Sequence, residues 1–195
     1  MKQKVYMLVF DGLADWEPSF ALAEINRSGQ YDVLTVGFND RVITTMGGLK
    51  LVPDATIKEV VIAQTALFIL PGGQMWEQFS DPDLSVFLRR LHEAQVPIAA
   101  ICGATLQMIR AGLTHDVYHT SNAIEYVQYV LPEYTDSAFY INELAASDQK
   151  IITANGLGSI EFAREIFKQL KLFSDEGIEN WYQMFKNGVY TAVIA

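Results

Sequence analysis

The stretch "VPIAAICGATLQMIRAG", residues 96–112, decides the fold. Its apolar run ends abruptly at Cys102, two small residues follow, and Leu106, Met108 and Ile109 then lie on an amphipathic stretch. A short, continuously apolar strand that turns at once into a helix is the repeating unit of a parallel sheet covered on both faces. The same stretch leaves two roles open for Cys102, the one cysteine of the chain. It is either a small buried hydrophobe or a nucleophile held at the tip of a strand.

Further units of the same kind lie on either side. "KVYMLVF" (4–10), "YDVLTVGF" (31–38), "TALFIL" (65–70) and "KIITAN" (150–155) read as strands, and "HDVYHTS" (115–121) as another. "RVITTMGGLKLVPD" (41–54) reads as a small hairpin turning at Gly47-Gly48. Helices are predicted where Phe20, Leu22, Ala23 and Ile25 precede a stop at Ser28-Gly29, and over 82–94 with Leu84, Phe87, Leu88 and Leu91 inward. Others follow over "NAIEYVQYVL" (122–131), "SIEFAREIFKQL" (159–170) and "DEGIENWYQMFKNG" (175–188). The alternation predicts an α/β fold: a doubly wound, mainly parallel sheet sandwiched by helices.

The chain has 195 residues, half of them hydrophobic and 19% charged, which fits a globular protein and one domain over 1–195, although two small domains also fit. Lys plus Arg number 14 against 23 Asp plus Glu, a formal charge of -9, and no basic block occurs. Nucleic acid and anionic membrane surfaces are therefore not expected partners. One cysteine gives no internal disulfide and no zinc-type Cys/His cluster. The apolar part of the N-terminus is short and runs into Asp11, Asp15 and Glu17 without a small-residue cleavage pattern, so it reads as a strand rather than a signal peptide. No apolar run reaches the ~18 residues of a membrane span. A soluble, cytoplasmic protein is expected.

Ligands of such sheets bind beyond the carboxyl ends of the strands. Asp11 to Glu17, Pro71-Gly72-Gly73, Cys102-Gly103 and Asn122 would then share one rim. A nucleophile on a tight strand-to-helix turn needs small neighbours, and Ala100, Gly103 and Ala104 meet that demand. The helix start would favour thiolate over thiol. The Gly103 amide, with Gly72 or Gly73 from the neighbouring strand, would suit an oxyanion hole. Glu17 beside a thiol in a dry cleft would be pushed toward its neutral form and would manage the thiol proton.

Several ordered motifs resemble the ThiJ/PfpI family within the glutamine amidotransferase-like superfamily: "VFDGLADWEPSFAL" (9–22), "ALFILPGG" (66–73), "PIAAICGAT" (97–105), "HTSN" (119–122) and "TANGLGSIEFAREIFKQL" (153–170). The resemblance covers nearly the whole chain and implies a flavodoxin-like sandwich with Cys102 as the elbow nucleophile. It also implies that Glu17 lies beside the thiol, that Gly73 and Gly103 give the oxyanion-hole amides, and that Ser121 and Asn122 border the thiol and orient substrate or water. Relatives are often homodimers or larger assemblies, so at least a homodimer is expected, with no metal or organic cofactor.

The pattern also departs from the family. Proteolytic and glyoxal-processing members commonly carry His directly after the nucleophile, where this chain has Gly103. The glutaminase branch uses a His-x-Glu pair where this chain reads "NGLGSIEF", which argues against a true glutamine amidotransferase. Of three histidines, His92 reads as solvated, His115 as lying at the opposite rim, and His119 as the one credible partner, with a structural role as its rival. Asp15 and Trp16 are expected to shape the rim, and Tyr126 and Tyr129 to be packing. The expected function is a cysteine-dependent hydrolase, glyoxalase, deglycase or peptidase acting on an electrophilic carbonyl of a small molecule or peptide. The alternative is a non-catalytic redox-sensing or stress-response protein using the same thiol.

Overall fold

Five of the six residues of β1 (Lys4–Val9) are buried, which requires a sheet covered on both faces. The computed structural model describes residues 2–190; Met1 and residues 191–195 of the expected 1–195 domain lie outside it. After β1, α1 (Trp16–Ser28) ends at Gly29, whose φ of 65° suits glycine, and β2 (Asp32–Gly37) returns parallel to β1. β3 (Ile43–Thr44) and β4 (Lys50–Leu51) form the expected antiparallel hairpin, with Gly47-Gly48 in its turn. β5 (Ala55–Thr56), β6 (Thr65–Leu70), α2 (Pro82–Glu93), β7 (Ile98–Ile101), α3 (Thr105–Arg110) and α4 (Ile124–Val130) follow. The chain continues through β8 (Ala145–Asp148), β9 (Ile151–Ala154), α5 (Ser159–Leu170) and α6 (Asp175–Asn187).

The central sheet runs β5-β2-β1-β6-β7-β9-β8, parallel except for β8 against β9. Strand order reverses between β1 and β6, so a crevice opens beyond their carboxyl ends. Local sequence explains the flanking helices. Asp81 caps α2 by accepting from the Asp83 and Leu84 amides at 2.8 and 3.2 Å, with Pro82 in the first turn. Helix α6 is held by polar bonds around a buried aromatic. Trp181 Nε1 donates to Glu24 at 3.3 Å, and Glu161 receives both Tyr182 Oη at 2.8 Å and Lys186 Nζ at 2.9 Å. Among the described residues no helix is long and apolar enough to cross a membrane.

Three elements differ from the sequence reading, the first being the two-residue edge strand β5, too short to show a period. "HDVYHTS" is not a strand; His119 makes only an isolated bridge to Tyr140. Its neighbours satisfy their backbone locally or through side chains: the Thr120 amide donates to Thr153 Oγ1 at 2.9 Å, so the segment has no need of a ladder. β8 was not expected at all. It joins β9 through Gln149-Lys150, at φ of 46° and 66°, a hairpin turn normally signalled by Asn or Gly and built here from neither.

Candidate active site

Cys102 directly follows β7 and holds a φ of 61°, left-handed backbone that costs a non-glycine residue about 1–2 kcal/mol. The turn lifts the side chain over the strand end, and its neighbours are cut back to make room. A Cβ on Gly72 would run into the Glu17 carboxylate and sit 2.6 Å from Cys102 Cβ. One on Gly156 would come within 3.0 Å of the sulfur. Gly73 is tight for a different reason: a Cβ there would press on the Phe10 ring at 2.8 Å. Gly103 lies against the Gly73 carbonyl and Trp76, and its N–H is directed at Cys102.

Glu17 occupies the first turn of α1 and is 1% exposed. The Gly72 amide donates to its carboxyl at 2.6 Å, and the group faces the Cys102 thiol. Burial pushes the carboxyl up to about 7, against the opposing hydrogen bonds from Cys102 and Gly72. The thiol is pushed up to about 11, first by burial and then by the charge of Glu17, with Asn122 and the Gly103 amide pulling the other way. This corrects the expectation of a thiol lowered by the helix start. Desolvation and a facing carboxylate outweigh the few amides of a short 3-10 turn leading into a six-residue helix. The Coulomb repulsion disappears when Glu17 is protonated, so thiolate and neutral carboxyl form together as one proton shared between two groups.

Asn122 closes the other side. Its Oδ1 accepts from the Gly156 amide at 3.0 Å, which turns Nδ2 toward the sulfur at 3.4 Å. Asn155 Nδ2 donates to the Asn122 carbonyl at 2.8 Å and fixes the loop. Carboxyl, thiol and amide thus converge from the ends of three different segments.

A sequence model of the DJ-1/PfpI family matches residues 3–169. The chain belongs to the DJ-1/PfpI family. It is similar to the protein named "Uncharacterized protease YoaZ" of Bacillus subtilis (strain 168), 38% identical over 196 residues that span 94% of this chain and 91% of that one. Among solved structures it is similar to DJ-1 superfamily protein Atu0886 from Agrobacterium tumefaciens, with a TM-score of 0.87, 30% identity, and coverage of 96% of this chain and 99% of that one. A thiJ/pfpI family protein from Bacillus anthracis gives a TM-score of 0.86 at 35% identity, over 97% of this chain and 92% of that one. Helix α6 lies past the part of this DJ-1/PfpI chain that the family model matches.

Not every residue singled out in the sequence reaches the cleft. Ser121 is buried behind the turn, where its hydroxyl meets Thr105 Oγ1 at 2.7 Å, and Thr105 in turn donates to the Cys102 carbonyl at 2.6 Å. It braces the backbone and is not placed to touch substrate. His119 is also buried away from the thiol. Its ring meets the Val117 carbonyl and Tyr134 Oη, both at 2.7 Å, and packs edge-on against Tyr134 and Tyr140. Burial lowers its pKa, so it is a neutral structural group in this DJ-1/PfpI chain, and its ring nitrogens meet Val117 and Tyr134 instead of the expected substrate or proton. His115 is exposed and paired with Asp136 at 3.1 Å.

Other residues at the thiol escaped the sequence reading. Gly156, just ahead of the helix expected over 159–170, packs on the sulfur. Tyr126, expected only to pack, also lines the cleft, as do Met46 and Glu77. Its helical spacing gave the first role, and the second depends on where α4 lies. The cavity over Cys102 measures about 110 Å³ and also touches Trp16. A larger groove of about 870 Å³, lined by the end of α1 and the segment between α5 and α6, holds no cysteine and shares no residue with the Cys102 cavity. Among the described residues no group of three or more His, Cys, Asp or Glu converges as a metal site would require.

Proposed function

We propose that this DJ-1/PfpI chain is a cysteine-nucleophile enzyme acting on an electrophilic carbonyl. The observation that carries the reading is the buried Glu17 carboxyl facing the Cys102 thiol on a left-handed turn. Glu17, ionising at about 7, accepts the thiol proton as the sulfur attacks the carbonyl carbon. The S–C bond forms, the carbonyl π-bond opens, and the Gly73 and Gly103 amides hold the resulting oxyanion. With an ester or amide, the tetrahedral centre expels its leaving group, which takes the proton back from Glu17, and water hydrolyses the thioester. With an aldehyde the first adduct is a hemithioacetal, protonated on oxygen by Glu17. The small cavity supports a small carbonyl compound or a side-chain tip: at ~30 Å³ per water it holds three or four waters' worth of liquid.

The assay is turnover of methylglyoxal and of an activated ester by wild type, Cys102→Ala and Glu17→Ala. Turnover lost in both variants supports the enzyme; rates equal to wild type in both would remove the site. The same reading includes self-association as at least a dimer, supported by exposed Val42, Leu49 and Val52. A monomer in sedimentation at micromolar concentration would overturn that part.

A second reading, oxidant sensing, is favoured by a cavity lining that, among the described residues, includes no histidine. Peroxide would transfer one oxygen to the Cys102 thiolate, releasing water with the Glu17 proton, and a second peroxide would give the sulfinate. Asn122 Nδ2 and the Gly103 amide would donate to its oxygens. Intact mass after mild peroxide tests it: added oxygens that vanish in Cys102→Ser support the reading, and an unchanged mass removes it.

A further inference from the structure

One wall of the Cys102 cavity has no part in the thiol chemistry. Glu77, Tyr126, Trp16 and Met46 form it, and the Tyr126 phenol interacts electrostatically with both the Glu77 carboxylate and Cys102. Trp16 is 52% exposed, and Glu77 is exposed as well. Among the described residues no Lys or Arg lines the cavity. The nearby cation, Arg110, is held behind the wall: it donates to the Trp76 carbonyl at 2.7 Å and the Glu77 carbonyl at 3.4 Å, and its charge acts on Tyr126. The cavity lining therefore combines one accessible carboxylate with two aromatic rings, and includes a second carboxyl at Glu17.

We propose that Glu77, with the faces of Trp16 and Tyr126, forms a subsite for a positively charged group, so that the preferred carbonyl substrates carry an ammonium or guanidinium. The proposal rests on Cys102 being the attacking atom. A cation here gains the Glu77 charge and the ring quadrupoles together. An anionic carbonyl compound meets two carboxyl groups, with the Arg110 charge behind the wall as a partial offset. The rest of the chain adds to the bias, since its formal charge is -9. Because Glu77 is exposed, solvent screens the effect, and a preference of about five- to tenfold per charge is the expected scale.

The experiment reads the subsite without requiring turnover. Cys102 is labelled with three methanethiosulfonates of similar size: trimethylammonium-ethyl, propyl and sulfonatoethyl. In each, the cysteine sulfur attacks the sulfenyl sulfur, an S–S bond forms, and methanesulfinate leaves. Rates are followed by intact mass and divided by those of 2-mercaptoethanol, which removes the intrinsic reactivity of each reagent. The expected cationic-to-anionic ratio in wild type, across two charge units, is at least about 25-fold, and Glu77→Gln cuts it by at least about fivefold. Glu93→Gln, an exposed acid at the end of α2 that leads into the amino end of β7, whereas Cys102 follows its carboxyl end, leaves the ratio within about twofold and controls for net charge. A wild-type ratio near one, or equal loss in Glu77→Gln and Glu93→Gln, overturns the subsite. Turnover is then compared for a cationic ester and its neutral isostere. If neither is hydrolysed while the labelling ratio holds, the enzymatic reading fails and the cation subsite stands.

Discussion

Replacing Glu17 by Gln separates the shared-proton site from an ordinary buried polar contact. Gln keeps the acceptor for the Gly72 amide, which donates to Glu17 at 2.6 Å, and removes the charge. In the folded wild type the carboxyl ionises at about 7, against an ordinary value of 4.5. A folded pKa raised above the unfolded one means that stability from this group is complete below pH 4.5 and is lost as pH rises through 7. The gap of roughly 2.5 units corresponds to about 3 kcal/mol. For a domain of this size, 1 kcal/mol moves Tm by roughly 2–4 °C. The Tm of Glu17→Gln relative to wild type should therefore rise by roughly 6–12 °C between pH 4.5 and 8, whatever its offset at low pH. Scanning calorimetry across that range measures it directly. Thiolate absorbance supplies the second half: without the Glu17 charge, the Cys102 midpoint falls from about 11. Loss of the proton acceptor should cost turnover about 10²–10⁴-fold, even though the thiolate becomes easier to form. A Tm difference constant with pH, together with an unmoved thiol midpoint, would refute the coupling between the two groups.

Gly72→Ala forces a methyl group into the Glu17 carboxylate and Cys102 Cβ; it should destabilise by about 1–3 kcal/mol in chemical denaturation and disrupt thiol titration. His119→Ala should cost about 1–3 kcal/mol by stranding Tyr134 Oη, while the Cys102 midpoint stays put; a shifted midpoint would return His119 to the site. Lys150→Gly relieves a left-handed residue in the β8–β9 turn and should raise Tm by a few degrees, measured by thermal melts, because only the Nζ bond to the Gln95 carbonyl is lost.

The strands around Cys102 were legible because burial on both faces demands unbroken apolar runs, and "TALFIL" and "IAAI" have few other places to go. The hairpin at Gly47-Gly48 was legible from its turn residues. β8 was not, because Gln149-Lys150 adopts a glycine-type turn without glycine, and "HDVYHTS" misled because its alternation fits either a strand or a segment anchored by side chains. Cys102 and Glu17 could be gathered on one rim because strand ends in a parallel sheet share an edge, whereas Asn122 follows no strand and reaches the thiol from a segment held by Asn155 and Gly156. Sequence order thus determined the fold class and the neighbourhood of the thiol. Only tertiary structure decided that Ser121 and His119 face inward, that Gly156 and Tyr126 reach the cleft, and that the thiol is raised rather than lowered. Those outcomes depend on side-chain direction, desolvation and the separation of charges, all set by how distant segments pack and none encoded in the spacing along one of them.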